Sequence, residues 1–175
     1  MDTQAFRNAL GSFPTGVTVV TARGPSGESV GVTANSFNSV SLDPPLLLWS
    51  LDKGARSLPA FRSAEYFAVN VLSADQSELS VRFANRRDDK FAGVEVDGGA
   101  GGCLLIEGCV ARFQCRTEQI IDGGDHVIFV GRVVSFDHDV EAPSLAFYRG
   151  RYCRVDPDLP AEGSLASYPE EDEAR

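Results

Sequence analysis

Three segments of the chain concentrate side chains suited to holding a small polar molecule. The first is Thr33-Ala34-Asn35-Ser36-Phe37-Asn38-Ser39-Val40-Ser41, a run of small hydroxyl and amide groups just ahead of Leu42-Asp43-Pro44-Pro45. It offers many donors and acceptors, and its small side chains let a flat ligand approach the backbone. A Ser/Asn-rich turn has the same composition, so the run alone leaves both readings open. The second segment is Ser50-Leu51-Asp52-Lys53-Gly54-Ala55-Arg56-Ser57-Leu58-Pro59. Here Ser57 suits a helix N-cap and Pro59 a first turn, which sets backbone N–H groups beside Lys53 and Arg56 as a seat for phosphate. The third, Arg82 to Phe91, alternates cations with aromatics, as a solvated helix end also does.

Two cationic seats and one polar cradle suit a phosphorylated planar ligand such as a flavin nucleotide. Hydrolytic chemistry finds less support, because only two histidines occur and no spacing pairs either with a serine or cysteine nucleophile. His126, in Asp122-Gly123-Gly124-Asp125-His126, opens an apolar run, where a loop hydrogen bond and a ligand contact are equally compatible with the pattern. His138 stands between Asp137 and Asp139 and is expected at the surface. Cys103, Cys109, Cys115 and Cys153 include no CxxC and match no zinc spacing, so free thiols and no metal are expected. Cys109, Ala111, Phe113 and Cys115 share one parity, as small apolar side chains on one strand face do. The glycines between 98 and 102 lack GxGxxG spacing and lead into the extended run Cys103 to Ile106, which predicts a flexible connection between strands.

Positioning these segments falls mostly to strands. Phe6, Ala9, Leu10 and Phe13 have helical spacing, with Asp2 or Thr3 as N-cap and Pro14 as the stop. Gly16 to Arg23 and Ser29 to Asn35 flank the turn Gly24-Pro25-Ser26-Gly27 as a hairpin. Leu46 to Leu51, Tyr66 to Leu72, Gly108 to Thr117 and His126 to Phe136 are further strand candidates. Two short helices are expected, one after Ser57 and one at Ser73, where Ser73 and Gln76 have capping-box spacing. Many short strands with few helices favour a mainly β antiparallel barrel or sandwich over a doubly wound fold.

With 43% hydrophobic and 23% charged residues, the 175-residue chain is neither collagen-like, coiled-coil nor wholly disordered, and its length suits one domain. The net charge of −9 is unevenly placed: residues 156–175 carry −6, leaving −3 on residues 1–155. The expectation is a folded domain over 1–155 and an acidic, disordered tail over 156–175. A nearly balanced body argues against a nucleic-acid partner. No run is apolar enough to span a membrane, and the first residues lack the apolar core of a signal peptide, so a cytoplasmic location is expected.

The chain resembles the short-chain flavin reductases, the NAD(P)H:flavin oxidoreductase components of two-component flavin-dependent monooxygenases. The likeness rests on FPTGVTVVT (13–21), TANSFNSVSLDPPLLL (33–48), NVLSADQ (70–76), RFANRRDDKFAG (82–93), GGDH (123–126) and LAFYRGRY (145–152), six collinear motifs across residues 6 to about 154. Cys103 departs from a proline expected in many relatives, and the tail has no counterpart. The resemblance implies an FMN-binding split β-barrel that forms a homodimer and serves a partner monooxygenase.

It further implies that Thr33, Ala34, Asn35, Ser36, Ser39, Val40 and Ser41 hold the isoalloxazine and ribityl chain of FMN or FAD. Ser50, Leu51, Asp52 and Ser57 would meet the flavin tail and phosphate, and Phe83, Ala84, Asn85, Lys90 and Phe91 would complete the pocket. His126, together with Phe147, Tyr148, Arg149, Gly150, Arg151 and Tyr152, resembles the contacts to NADH or NADPH. Hydride transfer between stacked rings needs neither a nucleophile nor a metal, which suits a chain without an evident acid–base pair. The competing class is a non-catalytic split-barrel module that carries flavin or haem as an electron carrier.

Overall fold

A computed structural model describes residues 1–86 and 89–157. The chain begins with α1 (Thr3–Leu10), β1 (Thr15–Gly16), β2 (Thr18–Arg23), β3 (Ser29–Ala34), β4 (Asn38–Leu42), β5 (Pro45–Asp52) and α2 (Leu58–Ser63). It continues through β6 (Tyr66–Val71), a 3-10 turn (Ala74–Gln76), α3 (Ser77–Ala84), β7 (Val96–Gly98), a second 3-10 turn (Ala100–Gly102) and β8 (Leu104–Ile106). Two long strands, β9 (Ala111–Gly123) and β10 (His126–His138), precede the closing hairpin of β11 (Ser144–Tyr148) and β12 (Arg151–Val155).

The main sheet has seven strands in the order β3-β2-β6-β9-β10-β5-β4, and every neighbouring pair is antiparallel. Its two ends curl toward each other. Just beyond β3, the Ser36 hydroxyl accepts from Ser50 N at 2.8 Å and donates to Ser50 O at 3.2 Å on β5. This fastening is what brings the serine-rich segment beside the strand that leads to Ser57. The mainly β, antiparallel architecture is the one expected from the strand spacing.

Alternation along the strands builds the core. On β5, Leu47, Trp49 and Leu51 point inward. Trp49 stacks on Phe129 of β10 with ring centroids 4.8 Å apart and meets Phe61 of α2 edge-on at 4.9 Å. Aromatic burial of this kind is the largest apolar contribution per residue. A second cluster of Val17, Val19, Leu72, Phe83, Ile106 and Leu145 lies at α3, so this helix is anchored by the side chain that also borders the site below. Asn70, fully buried, is satisfied on both ends: Nδ2 donates to Val19 O and Oδ1 accepts from Ile106 N.

Several expectations are revised. The first helix stops at Leu10, not at Pro14, and its apolar stripe is exposed: Phe6, Leu10 and Phe13 are 48%, 59% and 74% accessible. The glycine-rich connection is a tight turn between β7 and β8, with Gly101 and Gly102 at φ 61° and 77°, where L side chains are disfavoured. Strand β9 runs on through Gly123 because backbone pairing with β10 sustains the polar stretch that the side-chain pattern excluded. The helix at Ser73 begins as expected, Ser73 N donating to Gln76 Oε1 at 3.1 Å. Most of the acidic segment 156–175, from residue 158 onward, lies outside the described residues, as do Arg87 and Asp88.

Candidate functional site

Strand β3, the segment between β5 and α2, and the end of α3 with the loop after it enclose a cavity of about 320 Å³. Ser29 to Val32 form one wall and Ala55, Arg56 and Ser57 a second. Phe83, Ala84, Asn85, Arg86, Lys90 and Phe91 form the third. Gly31 is what allows the first and third walls to meet. A Cβ there would stand 2.5 Å from Phe83 Cε1 and 3.1 Å from Phe91 Cζ, and Phe83 is fully buried. The two rings pack edge-to-face at 4.9 Å.

Lys90 ties the same two walls together. Its Nζ donates to Phe83 O at 2.8 Å and to Gly31 O at 3.1 Å, and burial lowers its pKa. Arg56, Arg86 and Lys90 line the cavity, and no carboxylate does so among the described residues. Ser57 precedes α2 as expected, but with φ −81° and ψ −7° its side chain makes no cap hydrogen bond. The capping role assigned to it is therefore corrected, and Ser57 lines the cavity without that duty. The donor set is cationic and hydroxylic beside two aromatic rings, which fits a phosphate joined to a planar group.

The remaining sequence-derived residues lie outside this cavity, in two groups. Ser36 and Ser50 form the fastening described above, Ala34 and Leu51 are buried, and Asn35 is exposed. Ser39, Val40 and Ser41 lie on edge strand β4, where a register shift between Ser39 and Ser41 leaves Val40 without a partner on β5. Asp52 Oδ1 accepts from Gly54 N at 2.6 Å, and across the sheet Asp52 is paired with His126. His126 Nδ1 is 2.8 Å from Asp125 Oδ1, and Lys53 Nζ is 2.5 Å from Asp122 Oδ1. His126 and Lys53 hold the Asp125 and Asp122 carboxyls, respectively, below the usual carboxylate range. His138 is exposed, as expected.

The second group is the β11–β12 hairpin. Tyr148 and Arg151 close a two-residue turn of Arg149 and Gly150, and Tyr152 Oη is 2.8 Å from Ser80 Oγ on α3. Ser80 O accepts from Thr33 Oγ1 at 2.6 Å, so Thr33 braces α3 against β3. Phe147 packs edge-on against Tyr152 at 5.4 Å. The cysteines are free thiols among these elements; burial pushes Cys103 up to about 11 and Cys109 and Cys115 up to about 12, which keeps them protonated and poor nucleophiles.

Sequence reasoning missed Ser29, Val30, Gly31 and Val32 as wall residues. A signal for them existed, since a glycine inside the β-branched run Val30-Gly31-Val32-Thr33 marks a close approach of something to the backbone.

The model of the "Flavin reductase like domain" family matches residues 10–156. The FMN reductase (NADH) SmoA of Agrobacterium fabrum is 48% identical over 87% of this chain and 86% of its own length. The stachydrine N-demethylase reductase subunit Stc3 of Rhizobium meliloti is 46% identical over 86% of this chain and 65% of its own length. The chain spans only 48% of another relative from that organism. Among solved structures, the Streptomyces globisporus NADH:FAD oxidoreductase SgcE6, in complex with NAD and FAD fragments, is 40% identical with a TM-score of 0.84, covering 90% of this chain and 94% of that one. On the extent of these matches, the chain belongs to the flavin reductase like domain family.

Proposed function

We propose that the chain is an NAD(P)H:flavin oxidoreductase, taking a hydride from NADH or NADPH and supplying reduced FMN or FAD to a partner monooxygenase. The observation that carries this reading is the cavity of Gly31, Phe83 and Phe91, lined among the described residues by three cations and no carboxylate, in a chain of this family. Bound flavin supplies the hydride acceptor, N5 of its ring. Arg56, Arg86 and Lys90 attract the phosphate, and the Ser57 hydroxyl donates to it. At about 320 Å³ the cavity is at the lower end for a nucleotide, so it would take the phosphate and ribityl end, and Asn35, Ser36, Ser39 to Ser41 and Asp52 would hold the ring.

His126 serves the nicotinamide. Beside a carboxylate, Nδ1 carries the proton and donates to Asp125, which orients the ring and leaves Nε2 as an acceptor for the carboxamide N–H2. His126→Ala is expected to raise the KM for the nicotinamide or slow hydride transfer about tenfold, about 1.4 kcal/mol, while the flavin Kd stays within about threefold. Stopped-flow reduction and a separate flavin titration read the two quantities. A collapse of flavin affinity with normal nicotinamide kinetics would place the ring in the flavin pocket instead.

Ser57→Ala is expected to weaken FMN binding by about 1–2 kcal/mol through the lost hydrogen bond to phosphate. Because Ser57 caps nothing, the melting temperature should hold, and riboflavin affinity should not change. Equal binding of riboflavin and FMN by the unmodified protein would remove the basis of this role.

The proposed activity is tested by following NADH and NADPH oxidation with FMN and with FAD, with and without EDTA. Turnover that persists in EDTA supports the reading, and absence of turnover with every pair rejects it. A homodimer is supported by an aromatic run that starts against the core at Phe37 and Phe113 and reaches the surface at Phe136 of β10. Phe113 stacks between Phe37 and Phe136 at 5.7 and 6.1 Å, and Phe136 is 62% accessible. No described helix is long and apolar enough to cross a membrane, and a cytoplasmic location is part of the same proposal.

A further inference from the structure

Ser80 stands where three elements meet. It and Phe83 are the two buried residues of α3, and the carbonyl and hydroxyl of Ser80 serve different neighbours. Its backbone O accepts from Thr33 Oγ1 at 2.6 Å, toward β3, while its Oγ lies 2.8 Å from Tyr152 Oη, toward the β11–β12 hairpin. One turn further along α3, Phe83 forms part of the third wall of the cavity, and its O accepts from Lys90 Nζ at 2.8 Å. The helix therefore links the cavity wall to the hairpin through a pair of hydroxyls.

Local structure does not account for that pair. Alanine is the better helix former, and a buried hydroxyl is costly unless it is hydrogen-bonded. Ser80 has no accessible surface, so its hydroxyl is kept at that cost and satisfied by Tyr152. Tyr152 has no such need, because it is 39% accessible and water can satisfy a surface phenol, yet its hydroxyl is held by α3. The consequence is a fixed ring. Tyr152 stands opposite Phe147 on β11, packs edge-on against it at 5.4 Å and is tethered at its tip by Ser80. Phe147 in turn packs against the buried cluster that contains Phe83. A partly exposed aromatic ring immobilised at edge and tip is suited to bear on a planar group.

We propose that Ser80 is a positioning residue for hydride transfer: by holding Tyr152 Oη it fixes the Tyr152 ring relative to the flavin cavity, and with it the placement of the two rings that exchange hydride. The proposal rests on the function proposed above. Placement weighs more on the transfer rate than on binding, since a displacement of about 1 Å can cost about a hundredfold in rate. Ser80→Ala removes the hydroxyl alone. The bonds from Thr33 Oγ1 to Ser80 O and from Lys90 Nζ to Phe83 O use main-chain carbonyls and survive the substitution, so the cavity wall keeps its place.

Single-turnover flavin reduction by NADH and by NADPH in stopped flow, with a separate flavin titration, tests the role. In Ser80→Ala the limiting rate constant is expected to fall about tenfold, while the flavin Kd and the nicotinamide concentration at half-maximal rate stay within about threefold. Ser80→Thr, which keeps the hydroxyl, should recover most of the rate. Tyr152→Phe should show a similar loss, and the double variant no further loss, because each substitution removes the same bond. Thermal melts verify the fold, and the double variant decides the case if the threonine methyl does not fit the buried site. The proposal is overturned by an unchanged rate constant in Ser80→Ala, or by losses that multiply in the double variant. It is also overturned if the flavin Kd rises in step with the loss of rate, which would make Ser80 a brace of the cavity wall alone. Failure of the reductase reading has a different signature: the unmodified chain then reduces neither FMN nor FAD with either nicotinamide.

Discussion

Replacing Gly31 by valine should lower flavin affinity by about a hundredfold, about 2.7 kcal/mol, and should destabilise the fold by about 1–3 kcal/mol. A Cβ at this position would lie 2.5 Å from Phe83 Cε1 and 2.7 Å from Cδ1, both on a ring with no exposed surface. That ring cannot swing aside, since it packs with Val17, Val19, Leu72, Ile106 and Leu145. The displacement must go toward Phe91 and the cavity, so one substitution both strains the core and narrows the site. Gly98→Ala is the control, because a Cβ there meets nothing within 4 Å, and it should leave melting temperature and flavin affinity unchanged. A stable Gly31→Val variant with full flavin affinity would show that the ligand does not use this cavity.

The fold was legible where side-chain period and backbone pairing say the same thing. Leu47, Trp49 and Leu51 alternate with partly buried residues on β5, and the hairpin of β2 and β3 falls on the β-branched runs that flank Gly24 to Gly27. It was illegible where pairing outruns the pattern. The extension of β9 through Glu118 to Gly123 depends on hydrogen bonds to β10, which no local period announces. The site was legible in part for a similar reason. Phe83, Lys90 and Phe91 stand close in sequence and share one wall, whereas Ser29 to Val32 oppose them through tertiary packing alone. The capping assignment of Ser57 failed because residue type favours an N-cap but the backbone there is already helical in φ and ψ, which turns the hydroxyl away from the first N–H groups.

Lys90 is the second position where a large effect is expected, and its pH dependence separates the roles of charge and hydrogen bonding. Lys90→Met removes the bonds to Phe83 O and Gly31 O by which Lys90 bridges α3 and β3, and removes one of the three cations that line the cavity among the described residues. FMN affinity should fall about thirtyfold, about 2 kcal/mol, the size of a charge-assisted hydrogen bond together with the loosened wall. Riboflavin, without a phosphate, should lose less. In the unmodified protein, burial holds the folded-state pKa of Lys90 below its ordinary value of 10.5. Between the lowered value and 10.5 the unfolded chain binds more protons than the folded one, so this group makes stability rise with pH across that window. A neutral amine still donates two hydrogen bonds, so the wall stays tied while the charge disappears. FMN affinity should therefore fall across the same window in which the contribution of Lys90 to stability rises, and both trends should be absent in Lys90→Met. Parallel FMN titrations and thermal melts of the two proteins from neutral to alkaline pH measure them. An FMN affinity that tracks stability in the unmodified protein would mean that Lys90 acts on the ligand only through the wall it braces, not through its charge.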